Sequence, residues 1–411
     1  MSRLIALTLL ACSALITLLP DTASAQSNWP RWRGPTQDGH SDETGFIRKW
    51  SPADVKWTTP LPGAGQSSPI IWGERMFLTA ALDRGVERVA LCVDRNTGDI
   101  LWQTSLWKGK PEASHQMNGW ASSTCVTDGE HVWAFFGQGG GLFCLTMDGN
   151  EVWNRDLGEF PGPWGTASSP LLIDDLLIQN CDSDEKGFLL AVNKLTGETV
   201  WTTPREGQRG WSSPILIEAA NRRELIVQGH TGIRAYDPAN GEEYWRVSGT
   251  RGRGTPTVTP ANGLVYVIPG RGPAILAVKP GGEGDVTASN VVWSQPRRGR
   301  DLPSPIIVGN YLLAMNMRGG ILTCYDATTG EEHWVERMGG TVTASPVTYD
   351  GLVAFIEDGG EAIVIEPADT LKVVSRCNLL KDDEEIFRAS ITPSGGQLFI
   401  RSTKNLYCIG K

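Results

Sequence analysis

Short runs of apolar residues, each bounded by a glycine, a proline or a charged turn, follow one another along nearly the whole chain. A clear series is "SPIIW", "RMFLTAA", "RVALCVD" and "ILWQT", which lies between Ser68 and Thr104. Helix-favouring runs are almost absent, and each apolar run has the length and composition of a strand. The pattern predicts short β-strands joined by tight turns, in groups of four.

The first recurring signal is a serine or threonine, usually followed by proline, that opens an apolar run. It occurs at Ser68, Ser123, Ser169, Ser213, Thr255, Ser304, Ser345 and Ser390. Self-similarity at a period of about 40–50 residues is typical of stacked supersecondary units. Four strands in each unit of this length indicate the blades of a β-propeller.

The second recurring signal is a strand, a tight turn with glycine, and a tryptophan, as in "VDRNTGDILW" and "VNKLTGETVW". Glycine suits a turn that needs a positive φ. A tryptophan buries about 150–250 Å², so its repeated position predicts a docking residue between neighbouring blades. The predicted docking residues are Trp57, Trp102, Trp153, Trp201, Trp245, Trp293 and Trp334.

Eight opening signals predict eight blades, but the last unit, "ASITPSGGQLFIRSTKNLYCIGK", stops after its third strand. Its missing fourth strand matches "VKWTTPLPG" (55–63), which resembles "VWTTPREG" (200–207) at the end of another unit. We therefore expect an all-β, single eight-bladed propeller over residues 54–411. The N-terminal strand, 54–60, completes the C-terminal blade, which leaves no open sheet edge.

Residues 1–25 have the features of a secretory signal peptide: Arg3, an apolar stretch (4–19) and the sequence Ala23-Ser24-Ala25. A membrane anchor and lipidation at Cys12 are alternatives. A leader segment, residues 26–53, would then precede the propeller. We expect an exported protein, periplasmic, associated with the cell envelope or secreted, with no transmembrane span after signal removal.

Composition and cysteine positions narrow the possible functions. The formal net charge of -9 gives no electrostatic support for binding nucleic acid. Cys92, Cys144, Cys324 and Cys408 share one repeat position that other units fill with alanine, which favours small buried side chains. We expect no metal site, because paired Cys/His spacings are lacking.

Strands that end in the pattern A/C-x-D-x-x-T-G-x-x-x-W resemble the tryptophan-docking repeats of the pyrroloquinoline-quinone (PQQ) propeller superfamily. That superfamily includes quinoprotein dehydrogenases and the propeller lipoprotein of the bacterial outer-membrane barrel-assembly machinery. The resemblance covers residues 54–411, and "NWPRWRGPTQDGHS" (28–41) is similar to the start of many secreted PQQ-repeat-like proteins. The resemblance implies the fold rather than an activity, because the repeat is a packing device.

In the quinoprotein dehydrogenases, PQQ is held with Ca²⁺ by carboxylate and amide ligands, against a disulfide between adjacent cysteines, beside a catalytic aspartate. This chain has no adjacent cysteines and no C-x-x-C-H haem site. No residue here matches that set, so we expect no catalytic residue, no metal and no PQQ or calcium. The preferred hypothesis is a non-catalytic binding scaffold of the cell envelope. The alternative is a PQQ- and calcium-dependent oxidoreductase, or another enzyme with a site in the propeller funnel.

Loops on one face of the predicted ring combine arginines with tryptophans, although the protein is acidic overall. These candidate binding residues are Trp120, Trp164, Arg209, Trp211, Arg251, Arg253, Arg271, Arg300, Arg318 and Arg388. Arginine makes charge-assisted hydrogen bonds and tryptophan offers stacking, so this funnel face suits a protein or an extended anionic ligand. Alternatively, the arginines are solvated or pair with carboxylates such as Asp301 and Glu206, and the tryptophans pack between blades.

Overall fold

A computed structural model describes residues 28–219, 221–250, 252–272, 274–296, 302–379 and 384–411. The predicted signal peptide and Cys12 lie outside these residues. The strands form eight separate sheets, each with four antiparallel strands at its core. The predicted eight-bladed propeller is confirmed, with the N-terminal strand β1 (Val55–Pro60) in the last blade.

Each of the first four blades consists of four strands that are consecutive in the sequence. Blade one consists of β2 (Ile70–Trp72), β3 (Arg75–Leu82), β4 (Glu87–Asp94) and β5 (Ile100–Lys108). Blade two consists of β6 (Val126–Thr127), β7 (His131–Phe135), β8 (Leu142–Thr146) and β9 (Glu151–Arg155). Blade three consists of β10 (Leu171–Ile173), β11 (Leu176–Asn180), β12 (Gly187–Asn193) and β13 (Thr199–Arg205). Blade four consists of β14 (Ile215–Ala219), β15 (Arg222–Gln228), β16 (Gly232–Tyr236) and β17 (Glu243–Ser248).

The other four blades complete the ring. Blade five consists of β18 (Thr259–Ala261), β19 (Leu264–Val267), β20 (Ala274–Val278) and β22 (Val291–Pro296), with β21 (Gly284–Asp285) and α1 (Thr287–Asn290) inserted before its last strand. Blade six consists of β23 (Ile306–Val308), β24 (Tyr311–Asn316), β25 (Ile321–Asp326) and β26 (Glu332–Arg337). Blade seven consists of β27 (Val347–Tyr349), β28 (Leu352–Ile356), β29 (Glu361–Glu366) and β30 (Lys372–Asn378). Blade eight consists of β31 (Thr392–Ser394), β32 (Gln397–Arg401), β33 (Asn405–Ile409) and β1. Short 3-10 helices occupy Pro52–Asp54 and Asp83–Gly85.

Ring closure pairs the two ends of the propeller. Strand β1 lies antiparallel to β33, with Trp57 opposite Cys408 and Pro60 opposite Asn405. In the other blades the fourth strand follows its own third strand along the chain, whereas here it comes from the N-terminal side. This pairing satisfies backbone groups that an open ring would leave at an edge.

Tryptophans in the fourth strands fasten each blade to the next. The indole N–H groups of six of them donate to backbone carbonyls in the following blade, at 2.9–3.1 Å: Trp57, Trp102, Trp153, Trp201, Trp293 and Trp334. The rings also cover the turn glycines. A Cβ atom on Gly98, for example, would lie 2.6 Å from Cε3 of Trp57. The glycine therefore provides space as well as a positive φ of 79°.

Trp245 is the exception among these tryptophans. It is fully buried, and its indole N–H donates to Oε2 of Glu224 in its own blade at 2.8 Å. The next blade has no short hairpin turn to receive it, because β21 and α1 enlarge the connection between β20 and β22. Strand β21 pairs in parallel with β17, opposite Trp245 itself. The enlarged turn thus adds a fifth strand to blade four.

The leader segment crosses one end of the central channel. This end lies opposite the funnel face, where the loops carry the candidate binding residues. Trp29 forms a β-bridge with Ile71 of blade one, and the amide of Thr127 in blade two donates to Pro30. Farther along, Gln37 accepts from the amide of Leu216 in blade four, and Arg33 donates to Pro305 beside blade six. His40 then bridges Thr348 in blade seven. These contacts with five blades tie the leader across the channel.

Candidate functional site

A ring of hydroxyl groups surrounds the channel where the first strands begin. In seven of eight successive pairs, the amide N–H of one member donates to the hydroxyl oxygen of the member in the next blade, at 2.9–3.1 Å. The members are Ser68, Thr124, Ser169, Ser213, Thr257, Ser304, Ser345 and Ser390. All are buried. Because these seven amides take hydroxyl oxygens as acceptors, backbone-to-side-chain bonds link the blades around the channel.

A cavity of about 300 Å³ opens above this ring, between the loops that join successive blades. Six ring hydroxyls line it, those of Ser68, Thr124, Ser169, Ser213, Ser345 and Ser390. Trp32 of the leader also lines it and contacts the small space below, next to Thr257. The cavity is therefore a cup, since the leader occupies the far end of the channel. We call it the funnel cup.

Trp164 stands on the wall of the funnel cup among basic groups. The guanidinium of Arg253 lies 4.9 Å from its ring centroid, and that of Arg209 lies 5.3 Å away. The His115 ring is 5.1 Å from the same tryptophan. The Trp164 Nε1 atom is buried and has no hydrogen-bond partner among the described residues. The negative face of an indole ring attracts cations, so the two guanidinium groups hold the Trp164 ring in place.

Three more predicted residues line the funnel cup. Trp211 donates its indole N–H to the carbonyl of Gly165 at 2.8 Å, which links two loops. Arg388 pairs with Asp358 at 3.1 Å and donates to the carbonyl of Gln116 at 3.1 Å. Arg271 is exposed and has no carboxylate partner among the described residues. Arg388 is thus fixed by the fold, whereas Arg271 lacks such an anchor among the described residues.

The remaining predicted residues lie elsewhere. Trp120 packs in the core between blades one and two and donates its N–H to the carbonyl of Glu112 at 2.9 Å, which is a structural rather than a cavity-lining position. Arg209 is paired with Asp184 behind Trp164, and Arg318 is exposed on the same face without lining the cup. Arg251 and Arg300 lie outside the described residues.

The sequence did not predict the floor of the funnel cup, where Trp32 lies, or the ring of hydroxyl groups around the channel. Trp32 lies in a leader that carries no repeat, so no periodic signal marked it. The ring members of blades two and five are Thr124 and Thr257 rather than Ser123 and Thr255. A spacing criterion could have found them, because Thr257 lies 44 residues after Ser213, which itself lies 44 residues after Ser169.

The described lining of the funnel cup lacks the carboxylates expected around a calcium-bound quinone. Ca²⁺ takes oxygen ligands in which carboxylates are prominent, and no described residue that lines the cup is an aspartate or a glutamate. Among the described residues, no group of three or more His, Cys, Asp or Glu side chains is placed to hold a metal ion. The seven cysteines described are buried and unbridged, and burial raises the pKa of Cys92 to about 12. They act as small core residues.

Comparison with known proteins agrees with the fold. No curated protein matches the chain. The solved structure of BamB from Moraxella catarrhalis is 15% identical, with a TM-score of 0.63, covering 87% of this chain and 97% of that one. A europium-containing methanol dehydrogenase is 11% identical with a TM-score of 0.69, covering 94% and 98%. The computationally designed Ika8 protein is 11% identical with a TM-score of 0.57, covering 85% and 98%. At these identities the likeness shows the fold alone.

No helix within the described part of the chain has the length and apolar character needed to cross a membrane. A family model described as "Outer membrane protein assembly factor BamB" matches residues 47–163, 185–323 and 287–374. These matches span well over half of the 411 residues and include parts of all seven blades that precede the closing one. The chain belongs to the PQQ-like propeller family that this model of outer membrane protein assembly factor BamB describes.

Proposed function

We propose that this protein is an exported, non-catalytic binding scaffold of the cell envelope that holds an extended ligand or a partner protein segment at the funnel cup. The observation that carries the proposal is the joint placement of Trp164, Trp211, Arg253 and Arg271 around one blind cavity. Arginine offers forked donors and tryptophan a flat apolar face, a combination enriched at binding hot spots. The rigid ring holds these loop residues in place.

The charge of the funnel cup favours an anionic or electron-rich ligand. Its described lining has three arginines and no carboxylate, within a chain whose net charge is -9. Of these, Arg388 pairs with Asp358, whereas Arg271 has no carboxylate partner among the described residues. The matched family model, described as an assembly factor, is consistent with a scaffold role.

Affinity capture from native envelope extracts tests this function. The bait with Arg253→Ala and Arg271→Ala should recover its main partner at least about tenfold less than the unaltered protein does, as expected when hot-spot residues are truncated. The control is Arg48→Ala with Lys49→Ala, which removes the same charge from exposed leader positions outside the cup. Equal recovery by both double variants would disprove a binding role for the funnel cup. Dye reduction after addition of PQQ and Ca²⁺ would favour the oxidoreductase alternative instead.

A further inference from the structure

The funnel cup is closed at its floor, and this limits what can enter. The leader contacts five blades below the cavity, and Trp32 lines the cavity itself. A polymer therefore cannot pass through the channel. Only a terminus of such a polymer can enter the cup, from its open side. A volume of about 300 Å³ lies at the lower limit of small-ligand pockets, about 300–1,000 Å³. It suits a chain end or a small molecule rather than a folded domain.

The hydroxyl ring supplies hydrogen-bond donors inside the cup. Each ring hydroxyl for which a bond is described uses its oxygen to accept a backbone amide, as Ser169 does from Thr124 and Ser213 does from Ser169. The O–H hydrogens of the six members that line the cup have no acceptor among the described residues. These side chains belong to residues that are 2–7% exposed. A buried donor without a partner is costly, so the ring favours an acceptor in the cavity.

The other polar groups of the cup are also mainly donors. Arg253 and Arg271 provide guanidinium N–H groups. Asn118 already uses its amide N–H₂ on the carbonyls of Trp164 and Thr166, and its carbonyl oxygen accepts from Ser122. A sugar hydroxyl must donate as well as accept, whereas an ionised carboxylate only accepts. The lining therefore matches a carboxylate better than a glycan.

Apolar side chains complete the lining. Trp32, Met117, Trp164, Trp211, Leu302 and Met317 all face the cavity. Methionine and tryptophan together form an adaptable apolar surface that accepts aliphatic and aromatic groups. We propose that the funnel cup binds an apolar segment that ends in a free carboxylate, either the carboxyl terminus of a polypeptide or a free aliphatic acid. This inference rests on the proposed binding function and names its ligand class.

Fluorescence polarisation with two matched probes tests the ligand class. Both are the same apolar hexapeptide ending in phenylalanine and labelled at the N-terminus; one has a free carboxyl terminus and the other a carboxamide. We expect the free acid to bind at least about tenfold more tightly, because the amide loses a charge-assisted interaction and adds a donor. Equal affinity of the two probes, or no binding of either at millimolar concentration, would overturn the proposal. Displacement of the peptide by decanoate at lower concentration than by unlabelled peptide would assign the site to a free acid.

Two serine variants separate binding from stability. Ser169→Ala and Ser304→Ala each remove one hydroxyl that accepts a ring amide, but only Ser169 lines the cup. We expect Ser169→Ala to weaken free-acid binding about threefold to tenfold and Ser304→Ala to leave it unchanged, with similar losses of thermal stability. Equal effects on binding would contradict a role for the ring. If envelope capture depends on Arg253 and Arg271 while neither probe binds, the scaffold function stands and the carboxylate assignment fails.

Discussion

The indole N–H of Trp245 donates to the carboxylate of Glu224 at 2.8 Å, and both side chains are fully buried. Glu224 also accepts from Nε of Arg222 at 2.9 Å. The Glu224 carboxylate thus accepts the hydrogen bond from the indole N–H of Trp245. For six other tryptophans, the acceptor is a turn carbonyl of the next blade. The pair lies beside the insertion between β20 and β22, whose strand β21 joins the sheet of blade four.

Replacement of Glu224 by alanine should destabilise the propeller by about 2–4 kcal/mol, because it leaves the buried indole N–H without an acceptor and removes the partner of Arg222. Urea unfolding followed by tryptophan fluorescence measures the change. Glu242→Ala, at an exposed turn of the same blade, is the matched control and should change stability by less than about 0.5 kcal/mol. Similar losses in the two variants would show that the Trp245 bond contributes nothing specific.

The turn glycines can be divided into those that receive a tryptophan and those that do not. Gly98 has a φ of 79° and a Cβ there would lie 2.6 Å from Trp57, whereas Gly263 has a φ of 73° and no atom within 4 Å of that position. Gly98→Ala should therefore cost about 2–4 kcal/mol, and Gly263→Ala only about 1 kcal/mol, the cost of the backbone conformation. Thermal unfolding of both variants checks this. Equal shifts in Tm would mean that the docked indole moves aside freely.

The leader contains an acid-sensitive anchor. Burial, the largest influence, raises the pKa of Asp38, but hydrogen bonds from His40 and Thr36 outweigh it and lower the pKa to about 2. A depressed carboxyl pKa stabilises the fold above the pKa of the unfolded chain, and this stability is lost as pH falls through the folded value. We expect Asp38 to contribute about 2 kcal/mol at pH 6, most of it lost as the pH falls from about 4 to about 2. Asp38→Asn should lack this component of the acid-unfolding profile, and an unchanged profile would refute it.

Ring closure by β1 can be tested by two truncations. Removal of residues 26–53 deletes the leader but keeps Trp57 opposite Cys408 in blade eight. Removal of residues 26–60 also deletes β1 and exposes the edge of β33, so it should lower Tm further and cause aggregation. Size-exclusion chromatography and circular dichroism distinguish the two proteins. If both truncated proteins stay monomeric with the same Tm, β1 is not the clasp of the ring.

The blade count was predictable because the turn and the docking tryptophan recur in successive repeats. The split eighth blade could be recognised because its fourth strand is missing at the C-terminal end and is found at β1. Even Trp334 donates to a turn carbonyl, at Ala368, although that turn lacks glycine. The partner of Trp245 was not predictable, because the insertion in the next blade removes the turn that the repeat leads one to expect. The repeat spacing predicts the contacts between blades that both follow the repeat. The prediction fails where one of the two blades departs from it.

The candidate site was predicted only in part for a similar reason. Trp164, Trp211, Arg253, Arg271 and Arg388 were identified because their loops have fixed places in a blade, and the structure brings them to one cavity. Trp120 occupies an equivalent loop but packs inward, since loop length and local packing decide the direction of a side chain. The floor residue Trp32 comes from a segment without repeats, and its place depends on long-range contacts that sequence spacing does not record.

The pairing of β1 with β33 has a consequence for the order in which the protein can be assembled. Val55 pairs with Ile409, so blade eight cannot form until the chain has been synthesised through β33. Closing so long a loop is slow, because its entropy must be lost before the contact stabilises anything. The ring therefore stays open during synthesis until β33 has been made and can pair with β1.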